Sequence, residues 1–296
     1  NGITQADVLG RTRWELGALN MNEADWATHR AVLVSKQPFR DLELQRRRPD
    51  GTVHWISVSG VPLLDGQGAL RGYRGVGRDI TERKGVESQI ERLAFYDALT
   101  GLPNRRLLVD RMQRALKTVA RRPVHGALLF IDLDNFKDLN DTQGHELGDQ
   151  LLRQVGARLA GCVRVGDTVA RLGGDEFVVM VDDLSTDPEA AAYKSRALAE
   201  KVLTMLREPF QIAGHQHFAT PSIGVTAFNG DQSDVSELLK QADLAMDQAK
   251  GLGRNTLCYF DPDMQATVSA NAAVGAALRV GLREKQFVVH YQPQVD

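Results

Sequence analysis

The chain has 296 residues, enough for two or three small domains with hydrophobic cores of their own. A formal net charge of −2 argues against a broad basic surface for nucleic acid, and the two cysteines, Cys162 and Cys258, lack any metal-binding spacing. No apolar segment is long enough to cross a bilayer and no signal peptide is evident, so we expect a cytoplasmic protein; an anchor outside this segment stays open.

Short strands fill the first part of the chain. The segments 39–48 and 52–63 are strand candidates, and a third begins near Leu70. Turns rich in glycine and aspartate separate the three segments. Three strands at such short spacing predict an antiparallel sheet.

The end of this part resembles a PAS sensor domain. The resemblance rests on the segment 71–84, in which Asp79-Ile80-Thr81 is similar to the exit motif of that family. It implies a sensor over residues 1–81 that lacks its N-terminal part and whose ligand is unknown. Three tryptophans either line a ligand pocket or simply pack in the core: Trp14, Trp26 and Trp55.

A helical segment follows over residues 82–96, with Thr81 as its N-cap. Val86, Ile90 and Leu93 recur at spacings of four and three, which is typical of a short coiled-coil seam. We interpret this segment as a dimerising helix that joins the sensor to the next domain. The alternative is a helix packed on its own domain.

Two acidic motifs follow in the second half of the chain. Asp132 stands at the end of the apolar run 127–131, which predicts a buried strand. The motif 173–176, Gly-Gly-Asp-Glu, predicts a tight turn between two strands. Glycines let a backbone approach a phosphate closely, and carboxylates are hard ligands suited to magnesium. Each motif alone could be a solvated turn, but together they predict a metal–nucleotide site.

These motifs resemble those of the diguanylate cyclase (GGDEF) family. The resemblance extends in order over 97–105, both acidic motifs, 222–225 and 242–255. It implies a palm-like, nucleotidyl-cyclase-like domain over residues 97–262, with a central, mostly antiparallel sheet flanked by helices. The chain as a whole would then combine α+β and α/β architecture. Helices are predicted near 103–121, 146–162, 188–207 and 234–250.

The resemblance also implies an activity, the condensation of two GTP molecules into cyclic di-GMP with release of two pyrophosphates. Mg²⁺ or Mn²⁺ would be held by Asp132, the carbonyl of Leu133, Asp175 and Glu176. Asp175, which occupies the family's position for that role, is preferred over its neighbour Glu176 as the group that deprotonates the attacking hydroxyl. Further positions match substrate contacts of the family: Lys137, Asn140, His145, Asp149, Gly173, Gly174, Lys250 and Arg254.

Several of these residues have ordinary structural alternatives. Asn140 could cap a helix, Asp149 could be solvated, and Lys250 could offset a helix dipole. Arg164 and Asp167 form an R-x-x-D motif at the offset of the family's inhibitory product site, although a bare motif of this kind is usually a surface salt bridge.

One half-site binds one GTP, so the resemblance implies a homodimer controlled by its sensor. Residues 263–296 are expected to form a linker helix and, at 286–294, a strand resembling the start of an EAL phosphodiesterase domain. The first rival hypothesis is a non-catalytic receptor for GTP or cyclic di-GMP that regulates an attached EAL domain. The second is a dimeric interaction module dominated by the PAS part.

Overall fold

The computed structural model describes residues 9–48, 50–119, 124–229 and 234–262, together with four residues near the C-terminus: Val280, Leu282, Arg283 and Gln286. The chain divides into two compact units, residues 1–92 and 93–296. Apart from Gln286, the strand predicted at 286–294 lies outside the described residues. Within the described part, no helix has the length and apolar character needed to span a membrane.

The described residues of the first unit form a helix, a three-stranded sheet and the start of a further helix. Helix α1 (Glu23–Val34) begins at a capping box, in which Asn22 and Asp25 each accept a hydrogen bond from the other's backbone N–H. The strands are antiparallel in the order β1-β2-β3, which confirms the predicted sheet: β1 is Phe39–Arg47, β2 is Val53–Leu64 and β3 is Leu70–Asp79.

Helix α2 (Thr81–Phe95) occupies the segment where the sequence predicts a helix. The prediction of Thr81 as the N-cap is wrong, because Thr81 is the first residue of the helix. Its hydroxyl donates to Asp79 and accepts from the backbone N–H of Trp55, and its own N–H donates to Asp79. Val86, Ile90 and Leu93 are 50, 62 and 64% exposed. The apolar stripe of this helix is therefore not packed into a core.

The second unit is built on a five-stranded sheet in the order β10-β9-β4-β6-β5. Its strands are β4 His125–Leu133, β5 Thr168–Gly173, β6 Glu176–Ser185, β9 Pro221–Phe228 and β10 Leu257–Tyr259. All pairings are antiparallel except that between β9 and β10. A small hairpin stands apart from this sheet: β7 Phe210–Ile212 and β8 His215–His217. The predicted mostly antiparallel sheet is confirmed.

Helices cover both faces of this sheet, as predicted. They are α3 Arg105–Val119, α4 Phe136–Gln143, α5 His145–Cys162, α6 Pro188–Arg207 and α7 Val235–Gly251. Residues alternate along β4, so Leu128 and Phe130 pack with α3 and α7, whereas Leu129 and Ile131 pack with α5 and α6. Two separate cores result, and β4 is buried between them.

Gly224 on β9 sets how closely α7 approaches the sheet. A Cβ at this position would lie 1.9 Å from the carbonyl oxygen of Ala242 and 2.3 Å from the backbone nitrogen of Met246. Only glycine permits this contact with helix backbone. The close packing fixes the position of α7, whose last turn carries Lys250.

Candidate functional site

The two acidic motifs meet at one end of the sheet. Asp132 and Glu176 are directly opposed in the β4–β6 ladder, and this is the last pair of that ladder. Leu133 is one residue further along and pairs on its other side with Pro221, which has no N–H to donate. Asp175 precedes Glu176 in the turn. The sequence prediction that both motifs share one corner is consistent with this register.

The Gly-Gly-Asp-Glu segment forms a two-residue turn between β5 and β6, with Gly173 paired to Glu176. Gly173 has φ 146° and Gly174 has φ 52°, conformations that L side chains rarely adopt. A Cβ at either position would meet no atom within 4 Å. The glycines are therefore required by backbone conformation, and the space outside the turn is open to a ligand.

Arg171 holds this turn in place, a role that local sequence patterns do not reveal. Its guanidinium donates to the carbonyl of Gly174 at 2.6 and 3.0 Å and to the carboxylate of Asp97 at 3.0 and 3.1 Å. Burial alone would raise the pKa of Asp97, but hydrogen bonds from Thr100 and Arg171 outweigh it and lower this pKa. Arg171 is a positioning residue that joins the turn to the segment before α3.

Lys250 contacts the first acidic motif directly. Its Nζ lies 2.9 Å from Oδ2 of Asp132. Burial alone would lower the pKa of Lys250, but the hydrogen bond and the charge of Asp132 outweigh it and raise this pKa. Burial, reinforced by the charge of Asp175, still raises the pKa of Asp132 despite this partner. One ammonium group therefore leaves the carboxylate incompletely stabilised, and the corner favours a further positive charge.

Glu176 belongs to the same electrostatic cluster. Burial, followed by the charges of Asp243 and Asp132, raises the pKa of Glu176, while Arg105 counteracts the shift. Asp243 on α7 likewise has a raised pKa because of burial and the nearby Asp247. These acids repel one another in a partly dry environment, which is the arrangement that a bound cation would relieve.

Asp134 organises the other side of the corner. Its carboxylate accepts hydrogen bonds from Thr220 and Ser222 on either side of the start of β9, and from the backbone N–H of Asn255. Asn255 follows Arg254, and both residues have positive φ, 65° for Arg254 and 49° for Asn255. Asp134 therefore fixes the strained turn that carries Arg254, although the sequence analysis gave Asp134 no role.

The remaining predicted substrate contacts lie on α4 and α5, after β4. Lys137 and His145 are exposed, and Asp149 is partly buried. Oδ1 of Asn140 is buried and has no hydrogen-bond partner among the described residues. It packs so tightly on Gly148 that a Cβ there would lie 2.0 Å from Oδ1. The structure thus excludes Asn140 as a satisfied helix cap.

The oxygen donors suit a divalent cation in kind, because Asp132, Asp175 and Glu176 are carboxylates and Leu133 offers a carbonyl. Their mutual repulsion and the Lys250 contact show that the corner attracts positive charge. Among the described residues, however, no three acidic, histidine or cysteine side chains converge in a metal-binding group. The predicted ligand set therefore stays a proposal.

A cleft of about 860 Å³ lies between α3 and α7 and reaches Glu176. Arg105, Lys240 and Asp243 provide charges at its wall, and Val109 and Leu239 provide apolar surface. Asn140 and Asp149 are not among its described lining residues. Because α3 and α7 pack on one face of the sheet and α4 and α5 on the other, the cleft adjoins the acidic corner from the face opposite to the predicted guanine contacts.

Arg164 and Asp167 form a turn of their own before β5. The carboxylate of Asp167 accepts from the backbone N–H of Arg164 at 2.9 Å, and the Asp167 N–H donates to the carbonyl of Arg164 at 3.0 Å. The two side chains line a cleft of about 310 Å³ that Tyr193, Lys194 and Lys201 also line. The Arg164 guanidinium is in no ion pair with a described residue.

Family comparisons agree with this architecture. Residues 94–256 match the family described as "Diguanylate cyclase, GGDEF domain", and residues 2–82 match a PAS domain family. A solved GGDEF domain of TpbB (YfiN) from Pseudomonas aeruginosa superimposes with a TM-score of 0.55 at 32% identity, covering 59% of this chain and 99% of that one.

Curated relatives are much longer proteins. The chain is 42% identical over 207 residues to the bifunctional diguanylate cyclase/cyclic di-GMP phosphodiesterase MucR of Pseudomonas aeruginosa, covering 70% of this chain and 29% of MucR. It is 36% identical over 219 residues to the cyclic di-GMP phosphodiesterase PdeR of Escherichia coli, covering 74% of this chain and 32% of PdeR. The chain thus spans about a third of the length of these relatives.

Proposed function

Because the chain belongs to the GGDEF family and has a PAS domain before its GGDEF domain, we propose that it is a diguanylate cyclase. The reaction condenses two GTP molecules into cyclic di-GMP and releases two pyrophosphates. The observation that carries the proposal is the opposition of Asp132 and Glu176 at the end of β4 and β6, with Asp175 in the adjoining turn and Lys250 in contact with Asp132. The division into residues 1–81, 82–96 and 97–262 is part of the proposal.

The acidic corner would bind the triphosphate end of GTP. Mg²⁺ or Mn²⁺ bound by Asp132, Asp175, Glu176 and the Leu133 carbonyl would neutralise phosphate charge. The open turn at Gly173 and Gly174 leaves room for phosphate oxygens beside the backbone.

Cationic side chains would complete this half of the site. Lys250 comes from the end of α7, and Arg254 comes from the turn that Asp134 fixes. Lys137, exposed on α4, would add a third positive charge, and His145 would contact substrate from the start of α5. Their combined charge offsets that of the triphosphate.

Each bond-forming step joins a ribose 3′-oxygen to an α-phosphorus and breaks the bond from that phosphorus to pyrophosphate. The proton of the 3′-hydroxyl would pass to Asp175 or Glu176. The raised pKa of Glu176, caused first by burial and then by Asp243 and Asp132, suits a carboxylate that has to accept a proton. Alignment by a fixed turn supplies the rest of the rate enhancement.

Guanine would be read by Asn140 and Asp149. A carboxylate accepts from N1–H and N2–H₂, and an amide serves the remaining polar edge. The packing of Asn140 on Gly148, the residue before Asp149, supports this assignment because it brings the two side chains to neighbouring positions. Adenine would leave these polar atoms unpaired, which disfavours ATP.

Two GGDEF domains must meet to close the ring of the product, so the active species in this proposal is a homodimer. The exposed stripe of Val86, Ile90 and Leu93 supports α2 as the dimerising helix. The PAS domain would then control activity by changing how often the two half-sites meet.

Product inhibition is the second part of the proposal. Arg164 and Asp167 can bind a guanine or phosphate, and Tyr193, Lys194 and Lys201 line the same cleft. Arg164→Ala is expected to weaken inhibition by added cyclic di-GMP at least tenfold while initial rates stay unchanged. Inhibition equal to that of the unaltered protein would remove this assignment.

Incubation with GTP and Mg²⁺, followed by nucleotide chromatography, tests the activity. We expect cyclic di-GMP and two pyrophosphates per product, with loss of product in Asp175→Asn and Glu176→Gln. Glu189→Gln, an exposed acid on α6, is the matched control and is expected to retain activity. GTP that binds but is never converted, even in Arg164→Ala, would favour a receptor instead.

A further inference from the structure

The first unit contains a cluster of partly buried cations that the cyclase proposal does not use. Arg13, before α1, and Arg46, on β1, are both partly buried, and burial lowers the pKa of each. Nη2 of Arg46 donates to the backbone carbonyl of Arg13 at 3.2 Å. Among the described residues, neither guanidinium has a carboxylate partner. Two cations close together in a dry environment are costly without an anion.

Unsatisfied polar atoms surround these two arginines. Nε of Arg46, Oγ1 of Thr12 and Nε2 of His29 are buried without hydrogen-bond partners among the described residues. The His29 side chain is 6% exposed. Burial, followed by the charge of Arg13, lowers the pKa of His29, so the imidazole lies within electrostatic reach of that guanidinium. Buried polar atoms of this kind normally have a partner, which here would come from a ligand.

Aromatic rings form the apolar surroundings of the cluster. The guanidinium of Arg13 lies 5.2 Å from the centroid of the Phe39 ring. Phe39 in turn packs edge-on against His29 at 4.8 Å and near Tyr73 at 5.9 Å. The Tyr73 hydroxyl already donates toward backbone carbonyls at the end of α1 and beyond, so it is engaged. A ligand here would meet charge at one end and ring surface at the other.

The strand register places Arg46 on the core face of the sheet. Arg46 is directly opposite His54, and Leu44, two residues away on the same face, is 1% exposed. His54 is also buried, with Nδ1 unpartnered among the described residues, and its pKa is lowered first by burial. Asp79 lies near His54 but is paired with Arg48 at 3.1 Å, so it is engaged elsewhere.

We propose that this cluster, formed by Arg13, Arg46 and His29, is a binding site for a small organic acid. The carboxylate would accept from the two guanidinium groups, for which planar bidentate pairing is the favoured geometry. Its short carbon chain would lie against Phe39. The site would make the PAS domain a sensor of carboxylates, independently of whether the second unit is an active cyclase.

Tryptophan fluorescence of the intact chain isolates this unit. All three tryptophans, Trp14, Trp26 and Trp55, lie within residues 1–92, so their emission follows binding and thermal unfolding there. The probes are acetate, propionate, succinate and citrate at matched ionic strength, with propionamide and succinamide as neutral counterparts and inorganic phosphate as a non-organic anion. At a hundredfold excess over its dissociation constant, a carboxylate is expected to raise the unfolding temperature of this unit by about 11–22 °C.

Arg46→Met separates a ligand site from a purely structural role. Removal of a partly buried charge that has no carboxylate partner among the described residues is expected to raise the unfolding temperature of the ligand-free protein and to abolish the response to carboxylates. The matched control is Arg47→Met, an exposed neighbour on the opposite face, which is expected to keep the response.

Three results would overturn the proposal. The first is a panel in which no carboxylate shifts the unfolding temperature more than its amide does. The second is a response to phosphate alone. The third is an Arg46→Met protein that is less stable without ligand yet still responds to carboxylates as the unaltered protein does.

Discussion

Arg171 offers the sharpest test of how the Gly-Gly-Asp-Glu turn is positioned. The four hydrogen bonds of its guanidinium join Gly174 to Asp97, and its side chain is only 9% exposed. Arg171→Met keeps apolar volume but removes the cation, leaving Asp97 and the Gly174 carbonyl without it. Removal of one partner of a buried ion pair costs about 3–5 kcal/mol. The Asp97 side chain is 21% exposed, which favours the lower end, about 3 kcal/mol.

The thermal consequence follows from the size of the second unit. A domain of this length loses about 2–4 °C for each kcal/mol, so the unfolding temperature of the second unit is expected to fall by roughly 6–12 °C. The turn that carries Asp175 would also move, and a displacement of about 1 Å at a reacting group can cost about 100-fold in rate. Calorimetry of the intact chain and kcat/KM for GTP measure the two effects separately.

Arg114→Met is the matched control, because Arg114 pairs with Asp110 at the surface of α3 with 78% of its side chain exposed. Such an i,i+4 pair contributes about 0.3–0.5 kcal/mol. The double variant Asp97→Leu/Arg171→Met is expected to regain stability relative to Arg171→Met but to remain slow. If Arg171→Met loses no more stability than Arg114→Met, the hydrogen bonds of Arg171 to Asp97 and Gly174 do not stabilise the fold, and the prediction is refuted.

Three further predictions concern packing, backbone conformation and pH. Gly224→Ala is expected to destabilise the second unit by more than about 3 kcal/mol, because its Cβ would overlap backbone atoms of α7. Gly161 on α5 faces open space, so Gly161→Ala should raise the free energy of unfolding by up to about 1 kcal/mol. Denaturant titration compares the two variants. Gly174→Ala should cost about 1–2 kcal/mol through its φ of 52° without any clash, and an unchanged midpoint would contradict that. Burial, followed by Asp247, raises the pKa of Asp243, so the folded state holds this proton to higher pH than the unfolded chain and stability falls as pH rises through that window. At pH values above the folded-state pKa of Asp243, the Asp243→Asn variant should therefore have a higher unfolding temperature than the unaltered protein. At pH values below the unfolded-state pKa, the two proteins should unfold at the same temperature, and a constant difference across pH would refute the assignment.

Much of the fold could be predicted because its signals are local. The apolar run before Asp132 becomes the central strand, and the Gly-Gly turn becomes a hairpin with the expected pairing. The predicted helix at 188–207 matches α6 at both ends, since Asp187 and Pro188 begin it. Helix α1 escaped prediction because only Trp26 and His29 along it are buried, which leaves little amphipathic pattern.

The parts that sequence reasoning missed depend on contacts between distant residues. Asp97 and Arg171 are 74 positions apart, and Asp134 and Asn255 are 121 positions apart. No local spacing marks either pair, and each residue alone resembles a solvated polar residue at the surface. Arg13 and Arg46 are similar, since they are 33 positions apart and only the fold brings them together and partly shields both from water. Long-range polar pairs of this kind can be identified only from the folded structure, in which the register of the strands brings the residues together.

The central claim is that the acidic corner at the ends of β4 and β6 binds a nucleotide together with a divalent ion. A crystal of the intact chain grown with a non-hydrolysable GTP analogue and Mn²⁺ tests it through anomalous scattering. We expect one anomalous peak ligated by Asp132 and Asp175 beside the triphosphate, with Lys250 turned from Asp132 toward a phosphate. A nucleotide bound away from this corner, or a peak that touches neither carboxylate, would contradict the account.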